Sequence, residues 1–312
     1  MKRTILAATL ALATAVPAVL AHAQSNAPMK VTLAGGSVGG AWSVAGNAIG
    51  ETLRREYPNT SFTYEPGREQ SNILLVSQGR VQLGIAHAQL AGRALAGGEP
   101  FKQPVTNIRA IAVIDPLAAM QVFARQGSDF QSFEQVRRDK KPIRVALNQR
   151  GTMMALAGEE LLAAKGIPAK DVEAWGGKVH YVAYNEGLEM MKNKQVDLIV
   201  NLLAFPSGQV ASATREMPVQ MVGLTPEVQG ALQKSLGMMP IEVPAKTYDF
   251  QPAAVPSATA TVVLVANASM SDEDAGKIVS AMLRNMDFLK QSHAMMRQLD
   301  PAALARVAPL TL

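Results

Sequence analysis

Cysteine is absent from all 312 residues. That excludes a disulfide framework, a thiolate metal site and a cysteine-tethered cofactor. Histidine is scarce as well: the four present are scattered, and none falls at a recognised metal-binding spacing. No Gly-x-Ser-x-Gly elbow, His-Glu-x-x-His or Walker loop is expected to act here, and Ser43 and Ser207 have no base partner in sequence, so no catalytic residue is expected. Charge is sparse at 18% of residues, with a formal net of +5. The single basic run, Arg137-Arg138-Asp139-Lys140-Lys141, reads as a solvated helix end and not as a nucleic-acid patch. The adjacent acids Glu159-Glu160 and Asp272-Glu273-Asp274 diverge on a helix and read as solvated faces or helix-dipole partners. The methionines fall mostly at core spacing, as in Met190-Met191 and Met295-Met296, and are assigned to packing.

Long apolar runs are missing except at the start. Lys2 and Arg3 precede an apolar stretch from Thr4 to Leu20, and Ala21-His22-Ala23 follows. A basic head, an apolar middle and an A-x-A exit make a cleaved secretory signal over residues 1–23. The alternative, a membrane anchor, needs ~20 apolar residues, which this alanine-rich run barely reaches. Cleavage would remove two cations and leave +3 (5 − 2) on a soluble exported chain.

What is present is an alternating α/β pattern. Lys30–Leu33 reads as a strand. Ala41–Tyr57 reads as a helix, because Trp42, Ala45, Ile49 and Leu53 recur on one face, and Pro58-Asn59 ends it. Ser61–Tyr64 is a second strand, followed by a turn from Glu65, a helix over Ser71–Ser77 and the strand Val81–His87. Ile108–Ile114 and Ala119–Ala124 are apolar strands separated by Asp115-Pro116. The same grammar then restarts: strand Ile143–Leu147, a helix opened by Gly151-Thr152 and running to Ala164, strand Val179–Ala183, helix Glu186–Asn193, strands Val196–Val200 and Val219–Leu224. Residues 241–256 look irregular, Thr259–Val265 is a β-branched strand, and Ser271 caps a helix over Asp272–Leu289. The fold class is therefore α/β, with two mixed or parallel sheet domains joined by a hinge near Phe123–Gln126 and Thr259–Val265. Small ligands sit in clefts between such units.

The loops entering that cleft carry the candidate site. The stretch Leu-Ala-Gly-Gly-Ser-Val-Gly-Gly-Ala-Trp ahead of the first helix is not a dinucleotide fingerprint, since Gly36, Gly40 and Gly46 lack the G-x-G-x-x-G spacing. It still offers bare N–H groups and a positive dipole end, which suit a small anion; Gly40 supplies backbone, Ser37 a hydroxyl and Trp42 an aromatic wall. In the second unit Arg150, Gly151 and Thr152 repeat the arrangement. Arg150 either grips a carboxylate or is a surface charge, and Thr152 could serve only as a helix cap. Arg68 either faces the cleft or the solvent. His87, at a strand end, is either a crevice residue or a satisfied structural histidine.

Taken in order, these segments resemble the TAXI group of solute receptors of TRAP transporters. The group's G-G-T-x-G-G-T-Y-Y-x-x-G segment is similar to Gly35 through Gly46, and its N-x-x-L-x-x-G-x-x-D-x-A-x-x-Q segment to Asn72 through His87. Ile108–Ala112, Gly151-Thr152, Gln195–Leu198 and Val243–Tyr248 follow in register. The resemblance implies a two-lobed type II periplasmic binding fold that captures a small organic acid or amino acid and presents it to TRAP membrane subunits. The mature chain is expected to divide into one lobe of 24–122 plus 259–312 and another of 123–258, as a monomer without cofactor. The group's ligand loops fall on Ser37 and Trp42, on Arg68 and Ser71, and on Gly151 and Thr152. The chain departs from the group at Arg68–Ser71, at Arg150 and at His87, where a glutamine is usual. Two added arginines would favour a more anionic ligand such as a dicarboxylate. A sensory receptor and an enzyme on the same clamp are the competing functions.

Overall fold

The computed structural model describes residues 28–307 and 310, so the expected signal segment lies outside the described residues. In the first lobe, β1 (Lys30–Gly35), α1 (Ala41–Glu56), β2 (Ser61–Pro66), α2 (Glu69–Ser77), β3 (Leu83–His87) and α3 (Ala88–Ala96) alternate strictly. β1 pairs in parallel with both β2 and β3. The apolar stripe read from sequence is the packing face of α1: Ala45, Ile49 and Leu53 are fully buried, and Trp42 lies against the same core.

β4 (Ile108–Arg125) then leaves this lobe. The second holds α4 (Phe133–Asp139), β5 (Arg144–Leu147), α5 (Met153–Ala164), α6 (Ala169–Ala174), β6 (Lys178–Tyr181), α7 (Tyr184–Lys192), β7 (Leu198–Leu203), α8 (Gly208–Ala213), β8 (Val219–Met221), α9 (Pro226–Leu236) and β9 (Met239–Val243). β10 (Val255–Asn267) returns the chain to α10 (Asp272–Arg284) and α11 (Met286–Ser292) on the first lobe. The strands form one continuous mixed sheet of order β2-β1-β3-β10-β4-β7-β5-β6, with β8 on β4 and β9 on β10.

Three expectations need correction. Asp115-Pro116 does not break β4; three register shifts against β10 place extra residues on β4, and such bulges accommodate a residue that cannot donate to the ladder. β4 changes partner from β10 to β7 at Ala119, so it runs from one lobe into the other. The region 241–256 is not wholly irregular, since β9 pairs with the start of β10, while Pro244 and Pro252 lie in the loop between the two strands. The expected long last helix is also divided at Asn285 into α10 and α11.

The opening glycines have a packing reason. A Cβ at Gly35 would lie 2.3 Å from Tyr64 Oη, and one at Gly46 2.6 Å from the Tyr64 ring. Tyr64 in turn donates its hydroxyl to Gly36 O at 2.8 Å. Glycine there lets the β1–α1 turn lie directly on the tyrosine. Only Gly39 of this stretch needs glycine for its backbone, at φ +76°.

Candidate functional site

Strand ends decide where the site lies. The carboxyl ends of β1, β2, β5, β6 and β7 open into one cavity of about 180 Å³ between the lobes, the position favoured for ligands in open α/β sheets. The β1 end contributes Ser37, Gly40 and Trp42; the β2 end contributes Gly67, Arg68 and Glu69; the β5 end contributes Asn148, Gln149, Thr152 and Met154. Tyr184 and Asn185 follow β6, and Asn201 to Leu203 come from β7 itself. Gly40 stands at the N-cap of α1 without a side-chain cap, and the start of that helix, Gly40 to Trp42, lines the cavity.

Amides dominate the polar wall. Asn148 donates to Asn201 Oδ1 at 3.3 Å, and its own Oδ1 accepts the Gln149 N–H at 2.7 Å. Asn201 Oδ1 also accepts the Leu202 N–H at 3.0 Å. Gln209 donates to Asn185. Trp42, Met154, Leu202 and Leu203 supply apolar surface. Tyr184 Oη is buried with no partner among the described residues, and burial, then the neighbouring Tyr248, raises its pKa above the ordinary phenol value. Arg68 is the one cationic lining residue among those described, and it is exposed at the rim.

The candidates named from sequence separate into three groups. Ser37, Gly40, Trp42, Arg68 and Thr152 line the cavity. Thr152 is also the cap foreseen for α5, accepting the Ala155 N–H at 3.1 Å. Ser71, Arg150 and Gly151 line a separate groove of about 680 Å³ on the outside, which shares only Arg68 with the cavity. Arg150 lies 3.5 Å over the Tyr181 ring and 3.3 Å from Glu159, with its side chain 68% exposed. His87 lies behind Trp42, ring centroids 5.3 Å apart, and is buried against Glu69 with Nδ1 3.1 Å from the carboxylate. It lines a smaller second cavity with Asp115 and His293.

Glu69, Asn148, Gln149, Asn185, Asn201 and Gln209 were not singled out from sequence. Asn201 carried a usable signal, a lone polar residue within the apolar run Leu198–Leu203. Gly35-Gly36-Ser37-Val38-Gly39 does spell a nucleophile elbow. Ser37 is nevertheless exposed, and no histidine lines its cavity among the described residues. No cluster able to hold a metal occurs among the described residues, and none of their helices is long and apolar enough to cross a membrane.

A family model for NMT1-like proteins matches residues 33–312, nearly all of the described chain. The chain belongs to the NMT1-like family. Among solved structures, this NMT1-like chain is similar to MatC from Rhodopseudomonas palustris with bound malate, at 13% identity and TM-score 0.58, covering 88% of this chain and 94% of that one. It is similar to the periplasmic binding protein BugD, at 15% identity and TM-score 0.57, covering 86% and 87%. A binding-protein component of an ABC phosphonate transporter from Pseudomonas aeruginosa matches at 12% identity and TM-score 0.52, covering 86% and 79%. At such identities the likeness is one of fold. Comparison with curated protein sequences gave no match. The NMT1-like chain thus has the two-lobed periplasmic-binding architecture, with its cavity in the gap.

Proposed function

We propose that this NMT1-like protein is a periplasmic receptor that captures a small organic solute between its lobes and hands it, unchanged, to a membrane permease. The observation that carries this reading is the cavity itself, walled by strand ends of both lobes, rich in amides and, among the described residues, with no histidine beside Ser37. The ordered TAXI-like segments favour a TRAP-type permease as partner, and the leader-like residues 1–23 favour export. Residues 24–122 with 259–312 and residues 123–258 are the units that would move, with β4 and β10 as the crossings.

The solute's charge is read at Arg68. A guanidinium at the rim suits one carboxylate, with the solute's body against Trp42. A dicarboxylate clamped by Arg68 and Arg150 together does not fit the position of Arg150, which is stacked on Tyr181 outside the cavity. Native mass spectrometry of protein purified from cells should show a small bound compound. A thermal-shift panel of organic acids should then identify a stabilising one, worth about 2.7 kcal/mol at 100 times its Kd. Titration calorimetry with that compound should show Arg68→Ala weakening binding roughly 10- to 100-fold, the scale of a lost charged hydrogen bond. Arg150→Ala should leave affinity within about twofold, as for an exposed ion pair. Equal losses in the two variants would overturn this account of the rim, and a compound released chemically altered would overturn the receptor reading.

A further inference from the structure

Three helix starts converge on one side chain. α2 begins at Glu69, α3 begins directly after His87, and α5 of the other lobe begins at Met153. Helix starts leave backbone N–H groups without intrahelical partners and present the positive end of the dipole. An anion is the natural guest of such a point. Here the point is already filled: Glu69 Oε1 accepts the His87 N–H at 2.6 Å and lies 3.1 Å from His87 Nδ1, while Oε2 accepts the Met153 N–H at 2.9 Å. The Glu69 side chain is 0% exposed.

The neighbouring residue tightens the same seam. Gln70 donates its backbone N–H to Gly151 O across the lobes at 2.9 Å. Gly151 has φ +79°, and a Cβ there would lie 2.7 Å from Gln70 Oε1. Glycine at 151 answers to this left-handed backbone, with the Gln70 side chain of the other lobe packed against it.

We infer that Glu69 is a built-in counter-anion that occupies the anion position between the lobes, closing the clamp in the absence of solute and leaving the cavity to neutral or singly anionic solutes. A second anionic group placed near the start of α5 would meet this carboxylate instead of free N–H groups. The statement about solute charge rests on the receptor reading above. The statement about closure does not, because it is tested on solute-free protein.

The test combines small-angle scattering with amide hydrogen exchange on the full chain freed of solute. Wild type should scatter as the closed form, and the segment 148–156 should be protected. Glu69→Ala should increase the radius of gyration and cost that segment about tenfold or more in protection. Formate should reverse both changes by refilling the vacated position, and chloride at equal ionic strength should not. Glu69→Gln, which keeps one acceptor oxygen, should fall between the two. The inference is overturned if wild type alone exchanges freely over 148–156, an outcome readable even if the variants do not fold. It is also overturned if formate does no more than chloride. Failure of the receptor reading would appear separately, as wild-type protein that carries and binds no solute.

Discussion

Asp197→Asn should lower folding stability by about 3 kcal/mol, the low end of what breaking a buried ion pair costs. The carboxylate is 7% exposed and joins three strands. Oδ1 accepts from Arg125 Nη2 at 3.1 Å and from Arg144 Nη2 at 2.8 Å; Oδ2 accepts from Arg144 Nε at 3.1 Å and from the Arg144 backbone N–H at 3.0 Å. Burial is the largest single influence on its pKa and pushes it up. The Arg144 hydrogen bonds and charge, with Arg125, outweigh burial and hold it below the ordinary carboxylate value. A lowered carboxylate pKa means stability that is complete above the ordinary carboxylate range and lost as pH falls through the folded value. The gap between wild type and Asp197→Asn should therefore be widest at neutral pH and close in acid. Urea denaturation at pH 7 and in acid measures it, and equal midpoints at pH 7 would refute the assignment. Asp139→Asn, which removes an exposed partner of Arg138, serves as the neutral control. Because Arg125 ends β4, Arg144 opens β5 and Asp197 immediately precedes β7, loosening this node also displaces the strands that present Asn148 and Asn201 to the cavity.

The same segment shows what sequence could and could not give. Gln195-Val196-Asp197-Leu198 stood out as a family-like motif, yet its aspartate is structural, because its partners come from β4 and β5, far along the chain. Local signals did well: the periodic face of α1, the Thr152 cap of α5 and the Ser271 cap of α10 all depend on residues within a few positions. Non-local geometry was hidden. Arg150 and Thr152 are two residues apart, but Gly151 in a left-handed conformation sends one outside the lobe and keeps the other at the cavity. Glu69 looks in sequence like an ordinary acid near a helix start, and only the fold brings Met153, 84 positions away, onto its carboxylate. The start of α9 was overlooked although Pro226 at its first turn is a start signal. The glycine stretch was found as a loop, while its cause, the Tyr64 ring beneath it, lies on another strand.

Asp115→Asn should stabilise the protein, and increasingly so as pH rises. Asp115 is 4% exposed in the middle of β4, and burial, only partly offset by the Leu117 N–H at 3.0 Å, pushes its pKa up to about 7. The titratable groups lining the same cavity are His87 and His293, and burial followed by Arg297 lowers the pKa of His293. No arginine or lysine lines that cavity among the described residues. A carboxyl whose folded pKa is raised contributes stability that is fully present below its unfolded pKa, near 4, and is lost as pH rises through the folded value. The loss runs from about pH 4 to about pH 7 and amounts to roughly 4 kcal/mol, from three pKa units at 1.36 kcal/mol each. Asparagine keeps an oxygen for the Leu117 N–H and carries no charge to bury. The melting temperatures of variant and wild type should coincide near pH 4 and separate by roughly 10 °C at pH 8. A constant difference across that range would mean that Asp115 does not titrate within the fold. A destabilised variant at pH 8 would mean that a cation reaches the carboxylate through the cavity behind Trp42.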